Sequence, residues 1–246
     1  IEGYADFVHL ADGGMGTVYR AQQLRPVRRE VAIKLIRAGM DSDVVLARFA
    51  AERQALALMS HPYIASVHDA GTDALGRPFL VMEYVDGLPI TQHCERYALP
   101  LDERLRLFVK ICLAVDHAHR RGVLHRDLKP SNVLVAGSGD EAMPKVIDFG
   151  IAKALGGPLG DRSIHTLAGT LLGTPDYMAP EQIDGAAHQV DTRSDVYSLG
   201  VMLYELVTSA RPIDATAMAT SSVVQLGKIM RDTVPEKPST RLRRRA

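Results

Sequence analysis

The chain has no tryptophan and only two cysteines among its 246 residues. Cys94 and Cys112 form no CxxC or Cys/His spacing, which speaks against a disulfide-stapled secreted scaffold, a zinc module or a redox pair. Cys112, in an amphipathic stretch, reads as a small core residue, and the cysteine usage fits a reducing, cytoplasmic compartment. No apolar run approaches the ~18 residues of a membrane-spanning helix. No internal repeat is visible, and neither a Met nor a signal-peptide pattern opens the chain, so a piece of a longer protein is expected. Formal net charge is zero but uneven: Lys237, Arg241, Arg243, Arg244 and Arg245 crowd the C-terminus, and residues 1–236 hold 24 basic against 29 acidic groups. Such a run can bind nucleic acid or anionic lipid. A solvated linker or chain end is the commoner use, so no nucleic-acid partner is expected.

What is present is ordinary in bulk. An apolar fraction of 46% and a charged fraction of 24% suit a globular protein, and the length allows one large domain or two small lobes. Residues 4–10, 17–21 and 30–36 are apolar or β-branched and bounded by Gly, Asp or Pro, which predicts strands. Gly13-Gly14-Met15-Gly16 makes the turn between the first two. Residues 43–59 carry Val44, Leu46, Phe49, Leu56 and Met59 at helical spacing, with Asp43 able to cap. Further strands are expected at 64–70 and 79–85. Beyond Asp86-Gly87 the pattern turns helical. Residues 101–121 place Leu105, Phe108, Cys112 and Val115 on one face, and Gly122 ends the helix. Short strands at 133–135 and 145–147 precede an aperiodic stretch at 154–173 that reads as a mobile loop. A mostly buried helix at 191–208 carries Val196, Leu199, Val201, Leu203 and Leu206, and a last helix lies within 216–232. The division falls at 84–88, giving lobes over 1–85 and 86–246.

The chemistry concentrates in His125-Arg126-Asp127-Leu128-Lys129-Pro130-Ser131-Asn132 and in Asp148-Phe149-Gly150. Two carboxylates, an amide and an ammonium on a short loop–hairpin–loop can orient a hydroxyl, hold divalent metal and neutralise phosphate charge at one point. Upstream lie a Gly-rich hairpin from Leu10 to Tyr19, Val31-Ala32-Ile33-Lys34, and a helix with Glu52; downstream lies Ala179-Pro180-Glu181. In this order the elements resemble the protein kinase superfamily from residue 4 to about 240, and in detail the bacterial serine/threonine kinases of eukaryotic (Hanks) type. The resemblance implies an α+β, bilobal fold: a small antiparallel sheet with one helix, then a mainly helical lobe.

It also implies roles. Leu10, Ala11, Gly13, Gly14 and Gly16 would cover the phosphates of ATP, although Ala11 stands where the family has its first glycine, so weaker or altered ATP binding is expected. Lys34 would contact the α- and β-phosphates and pair with Glu52. Val18 and Ala32 would line the adenine slot, Met82 would guard its back, and the Glu83 carbonyl and Val85 backbone would bond the purine edge. Asp127 would orient the acceptor hydroxyl and take its proton, Lys129 would neutralise the transferring phosphoryl group, and Asn132 and Asp148 would ligate Mg²⁺. Thr174 resembles the threonine that bonds the catalytic aspartate and lysine. Lys129 and Thr174 indicate serine/threonine acceptors on proteins. Asp195 resembles the buried aspartate that fixes the catalytic-loop backbone, whereas His117 and His119 read as structural.

Arg126 could receive a phosphate from the segment 148–181, where Thr166 and Thr170 are the best acceptors; such autophosphorylation could proceed between two copies. The resemblance further implies C-lobe helices, and an arginine partner for Glu181, that this sequence does not reach, so an incomplete and less stable C-lobe is expected. Two readings stay open beside an active protein kinase: a nucleotide-binding pseudokinase or scaffold, and a small-molecule kinase. A cytoplasmic location is expected, either of this chain or as part of a longer, membrane-anchored protein.

Overall fold

The computed structural model describes residues 1–13, 16–36, 59–149, 175–183, 190–213 and 223–245. An antiparallel sheet is formed by β1 (Tyr4–Gly13), β2 (Gly16–Gln23), β3 (Arg29–Ile36), β4 (Val67–Thr72) and β5 (Pro78–Glu83), in the spatial order β1-β2-β3-β5-β4. β5 lies between β3 and β4 and is covered on both faces, which explains its unbroken apolar run Phe79-Leu80-Val81-Met82. The period of two then sorts the sheet. Val31, Ile33, Phe79 and Val81 close a small core on one face. Leu80 and Met82 join the main core on the other, with Ala32 packed against it.

Residues 84–87 lead into a helical lobe. It contains β6 (Leu88–Pro89), α1 (Ile90–Arg96), α2 (Leu101–His119), β7 (Val133–Ala136), β8 (Met143–Val146), α3 (Pro180–Ile183), α4 (Thr192–Thr208), α5 (Val223–Asp232) and α6 (Pro238–Arg245). β6, β7 and β8 form a small antiparallel sheet. Gly87 approaches it so closely that a Cβ there would sit 2.6 Å from the Val135 carbonyl oxygen. The expected bilobal α+β architecture is thus observed.

α2 buries Leu107, Ile111, Ala114, Val115 and Ala118, a stripe rotated from the face expected from Leu105, Phe108, Cys112 and Val115. Leu101, Leu105, Val109 and Leu113 are exposed. Apolar residues run nearly all round this helix, so periodicity alone does not fix its inner face. Cys112 is consequently half-buried, while Cys94 is buried in the main core. On α4, Val196 points outward rather than inward. Asp191 caps α4 by accepting the Arg193 amide, and Ser209, at φ 51°, ends it.

Three helices among the described residues escape the sequence pattern, the four-residue α3 with α1 and α6. α1 is short and has no side-chain cap. α6 occupies part of the basic run read as a solvated end: Pro238 begins it, Tyr204 Oη donates to the Glu236 carbonyl at 2.9 Å, and Arg244 pairs with the Glu236 carboxylate at 3.0 Å. The helix expected at 43–59, apart from the buried Met59, and the loop expected at 154–173 lie outside the described residues.

Candidate active site

The register of the sheet assembles one wall of the cleft. Val18 lies opposite Lys34, Ala32 opposite Met82, and Lys34 opposite Leu80. Lys34, 8% exposed, reaches across to the second lobe and forms an ion pair with Asp148. The start of β2 packs tightly against β3. Gly16 has φ 155°, and a Cβ there would stand 2.0 Å from the Leu35 carbonyl oxygen. Only glycine fits that approach. Thr17 Oγ1 donates to Asp12 at 2.8 Å and the His9 ring bonds the same carboxylate at 3.0 Å, a side-chain clasp across the hairpin. Gly13 faces Gly16, Ala11 faces Val18, and Leu10 is exposed.

On the other wall, the turn over Pro130–Asn132 folds Lys129 and Asn132 back onto Asp127. Lys129 Nζ donates to Asp127 Oδ2 at 3.0 Å. Asn132 Nδ2 donates to the Asp127 carbonyl at 2.8 Å and to Oδ2 at 3.3 Å. The Asn132 amide nitrogen is thereby committed to Asp127, and its oxygen is the group able to meet a cation. The Asn132 carbonyl accepts the Ile147 amide at 2.9 Å, which ties the loop to the strand that delivers Asp148. Asn132 and Asp148 both offer hard oxygen donors, chemistry that fits a cation such as Mg²⁺.

Two residues here hold left-handed backbone: Arg126 at φ 65° and Asp148 at φ 62°. Such conformations cost on the order of 1–3 kcal/mol and persist where surroundings over-determine them. For Arg126 the surroundings are visible. Asp195, 1% exposed on α4, accepts the His125 amide at 2.8 Å, the Arg126 amide at 2.8 Å and the His119 ring at 2.7 Å. Burial alone would raise its pKa, but the His119 ring and the two amides outweigh burial and hold the carboxyl below its ordinary range. The roles expected of Asp195, as the loop's anchor, and of His119, as structural, match these contacts.

Sequence reasoning missed three supporting residues. His125 is fully buried, and desolvation lowers its pKa. As a neutral ring it can donate from Nε2 to the Ile147 carbonyl at 3.1 Å and accept the Asp127 amide on Nδ1 at 3.3 Å, a tautomer assigned from these two partners. Gln182 donates from Nε2 to the Arg126 carbonyl at 2.7 Å while its Oε1 accepts the Ala179 amide at 2.9 Å. Lys145 pairs with the Glu83 carboxylate at 2.8 Å. The signal for Gln182 was its place directly after Ala179-Pro180-Glu181. Glu181 itself accepts a hydrogen bond from Ser194 Oγ, and Arg211 pairs with Asp176.

Lys34 and Asp148 are therefore paired, Asp127, Lys129 and Asn132 are joined to one another, and Val18, Ala32 and Met82 lie on the strands around Lys34, while Val85 is buried where β5 has ended. Gly14, Glu52, Thr166, Thr170 and Thr174 lie outside the described residues. No helix among the described residues is long and apolar enough to cross a membrane.

The comparisons with known proteins agree with this geometry. The protein kinase domain family matches residues 4–243. A probable serine/threonine-protein kinase of Streptomyces coelicolor, SCO3848, is 41% identical over 209 residues, which cover 82% of this chain and 30% of that protein. A probable serine/threonine-protein kinase PknB of Lactococcus lactis is 39% identical over 213 residues, covering 86% of this chain and 32% of that protein. This chain thus spans about a third of the length of the curated relatives it matches. Among solved structures, a double mutant of the Mycobacterium tuberculosis PknI kinase domain superposes with a TM-score of 0.69 at 30% identity, over 97% of this chain and 81% of that one. Another structure of the same domain gives 0.65 at 28% identity, over 100% of this chain and 97% of that one. Glycine-rich hairpin, lysine strand, catalytic-type loop and buried aspartate all stand in the family's order, and the chain belongs to the protein kinase domain family, with bacterial serine/threonine kinases as relatives.

Proposed function

We propose that this chain transfers the γ-phosphoryl group of ATP, with Mg²⁺, to serine or threonine hydroxyls of proteins, its own segment between Asp148 and Glu181 included. The observation that carries the reading is the convergence of Lys129 and Asn132 on Asp127, beside an Asp148 already engaged by Lys34 from the other lobe. An acceptor hydroxyl placed at Asp127 would be oriented by its carboxylate. As its oxygen attacks phosphorus, the bond to the ADP oxygen breaks and the hydroxyl proton passes to the carboxylate. Lys129 sits where it can balance charge on the phosphoryl oxygens, and Lys34 can exchange Asp148 for phosphate. A metal held by Asn132 and Asp148 would neutralise phosphate charge. Positioning and charge compensation dominate such a transfer, since its transition state is loose in most analyses.

Mass spectrometry after incubation with Mg-ATP tests the reading. The wild-type chain should gain phosphate, with Thr166 and Thr170 the expected acceptors. Asp127→Asn should slow incorporation by about 10²-fold or more while still binding ATP. Unimpaired phosphorylation by Asp127→Asn would remove Asp127 from its proposed role. Nucleotide binding without phosphorylation by the wild type would favour a nucleotide-binding scaffold.

A further inference from the structure

The hinge end of β5 and the strand leading to Asp148 are zipped to one intervening segment. On one side, the Val146 amide donates to the Tyr63 carbonyl at 2.8 Å and the Ala65 amide donates to the Val146 carbonyl at 3.0 Å. On the other, the Glu83 amide donates to the Ser66 carbonyl at 2.8 Å, and the Ser66 amide returns a bond to Glu83 Oε2 at 3.1 Å. Residues 63–66 thus form a backbone spacer between β8 and the hinge. One side-chain contact bridges the spacer: Lys145 Nζ lies 2.8 Å from Glu83 Oε1 and 3.0 Å from Oε2. Both partners are largely covered, at 17% and 30% side-chain exposure. Lys145 sits three residues before Asp148, and Glu83 is the residue at which β5 becomes the link to the second lobe.

We infer that Lys145 is a positioning residue for the nucleotide, acting through Glu83. The inference rests on the kinase reading above, in which the backbone at Glu83 and Val85 takes the base and Asp148 serves the phosphate end. Those two ends of one ligand are gripped by different lobes. The Lys145–Glu83 bridge fixes the separation between them, because it holds the hinge carboxylate to the strand that delivers Asp148. The Glu83 side chain itself does not enter the cleft: it is spent on Ser66 and Lys145. Lys145 touches neither the proposed base site nor the reacting atoms, so its loss should weaken nucleotide capture more than turnover.

The test compares wild type, Lys145→Met, Lys145→Arg, Glu83→Gln and the Lys145→Met/Glu83→Gln double variant. ATP affinity is measured by calorimetry, and initial autophosphorylation rates are measured against ATP concentration. Lys145→Met should raise KM and Kd for ATP about fivefold, the scale of a partly covered ion pair, with kcat changed less than twofold. Lys145→Arg should restore most of the affinity. Glu83→Gln should resemble Lys145→Met, and the double variant should be no worse than either, as expected of two groups acting as one unit. Unchanged ATP KM in a folded Lys145→Met protein, or kcat and apparent active fraction falling together at constant KM, would overturn the inference. So would additive effects in the double variant. Failure of the wild type itself to bind ATP would overturn the kinase reading instead, and the two failures are read from separate proteins.

Discussion

Asp195 lets the stability of the catalytic loop be worked from the structure. Its carboxylate receives two backbone amides and one imidazole N–H, all at 2.7–2.8 Å, at a site 1% exposed. Asp195→Asn keeps the shape and removes the charge. An asparagine oxygen on the Oδ2 side would keep His125 and His119 as neutral bonds and turn its NH₂ against the Arg126 N–H. Opposing two buried donors costs about 1–3 kcal/mol, and each remaining bond loses roughly 1 kcal/mol of charge assistance. The expected destabilisation is about 3–5 kcal/mol, near what removing one partner of a buried charged cluster costs. For a protein of this size that corresponds to a fall in Tm of about 10 °C. Because the chain has no tryptophan, unfolding is followed by far-ultraviolet circular dichroism in urea. The pH dependence gives a second readout. The folded pKa of Asp195 is depressed, so its contribution is complete above the unfolded carboxyl value of about 3.9 and is lost as pH falls through the folded value. The gap between wild type and Asp195→Asn should hold constant from pH 7 to about pH 4 and narrow only below it. A variant within about 0.5 kcal/mol of wild type at pH 7, or a gap already closing near pH 6, would refute the assignment of Asp195 as a charged anchor.

Other tests address the hairpin and the buried imidazole. Gly16→Ala places a Cβ 2.0 Å from the Leu35 carbonyl oxygen, so β2 must lift from β3. Thermal unfolding should drop by several degrees and calorimetric ATP affinity should weaken, whereas wild-type values for both would show that the close approach has no energetic consequence. His125 is buried as the neutral ring, with its pKa lowered by desolvation. Its contribution is complete above the unfolded histidine pKa of about 6.5 and is lost as pH falls below that value toward the folded pKa. His125→Phe should flatten the decline of wild-type Tm below pH 6.5, at the expense of the bonds to Asp127 and Ile147. A titration of equal slope in both proteins would place the acid-sensitive group elsewhere.

How much the sequence disclosed follows from how local each signal is. Lys34, Asp127, Lys129, Asn132 and Asp148 were legible because motif spacing fixes them to particular turns and strands, and the register of β2, β3 and β5 could hardly place Val18, Ala32 and Met82 elsewhere. Asp195 was legible as a charge amid apolar helical neighbours. Less local matters stayed hidden. The inner face of α2 could not be chosen because Leu101, Leu105, Val109 and Leu113 give it a second apolar stripe. The helix α6 was masked by its arginines, whose repulsion is partly offset by Glu236 from outside the run. Lys145 and Glu83 are 62 positions apart, and nothing in either neighbourhood announces the other.

Gly87 has a mechanical consequence. The chain entering the second lobe passes so near Val135 that no side chain fits between them, and the next two residues are already laddered to β7. The tether is clamped at that point, while Glu83 is held by Ser66 and by Lys145 of β8. Both ends of the link Tyr84-Val85-Asp86 are thus moored to the β7–β8 hairpin, so the first lobe cannot swing about these three residues without parting Lys145 from Glu83.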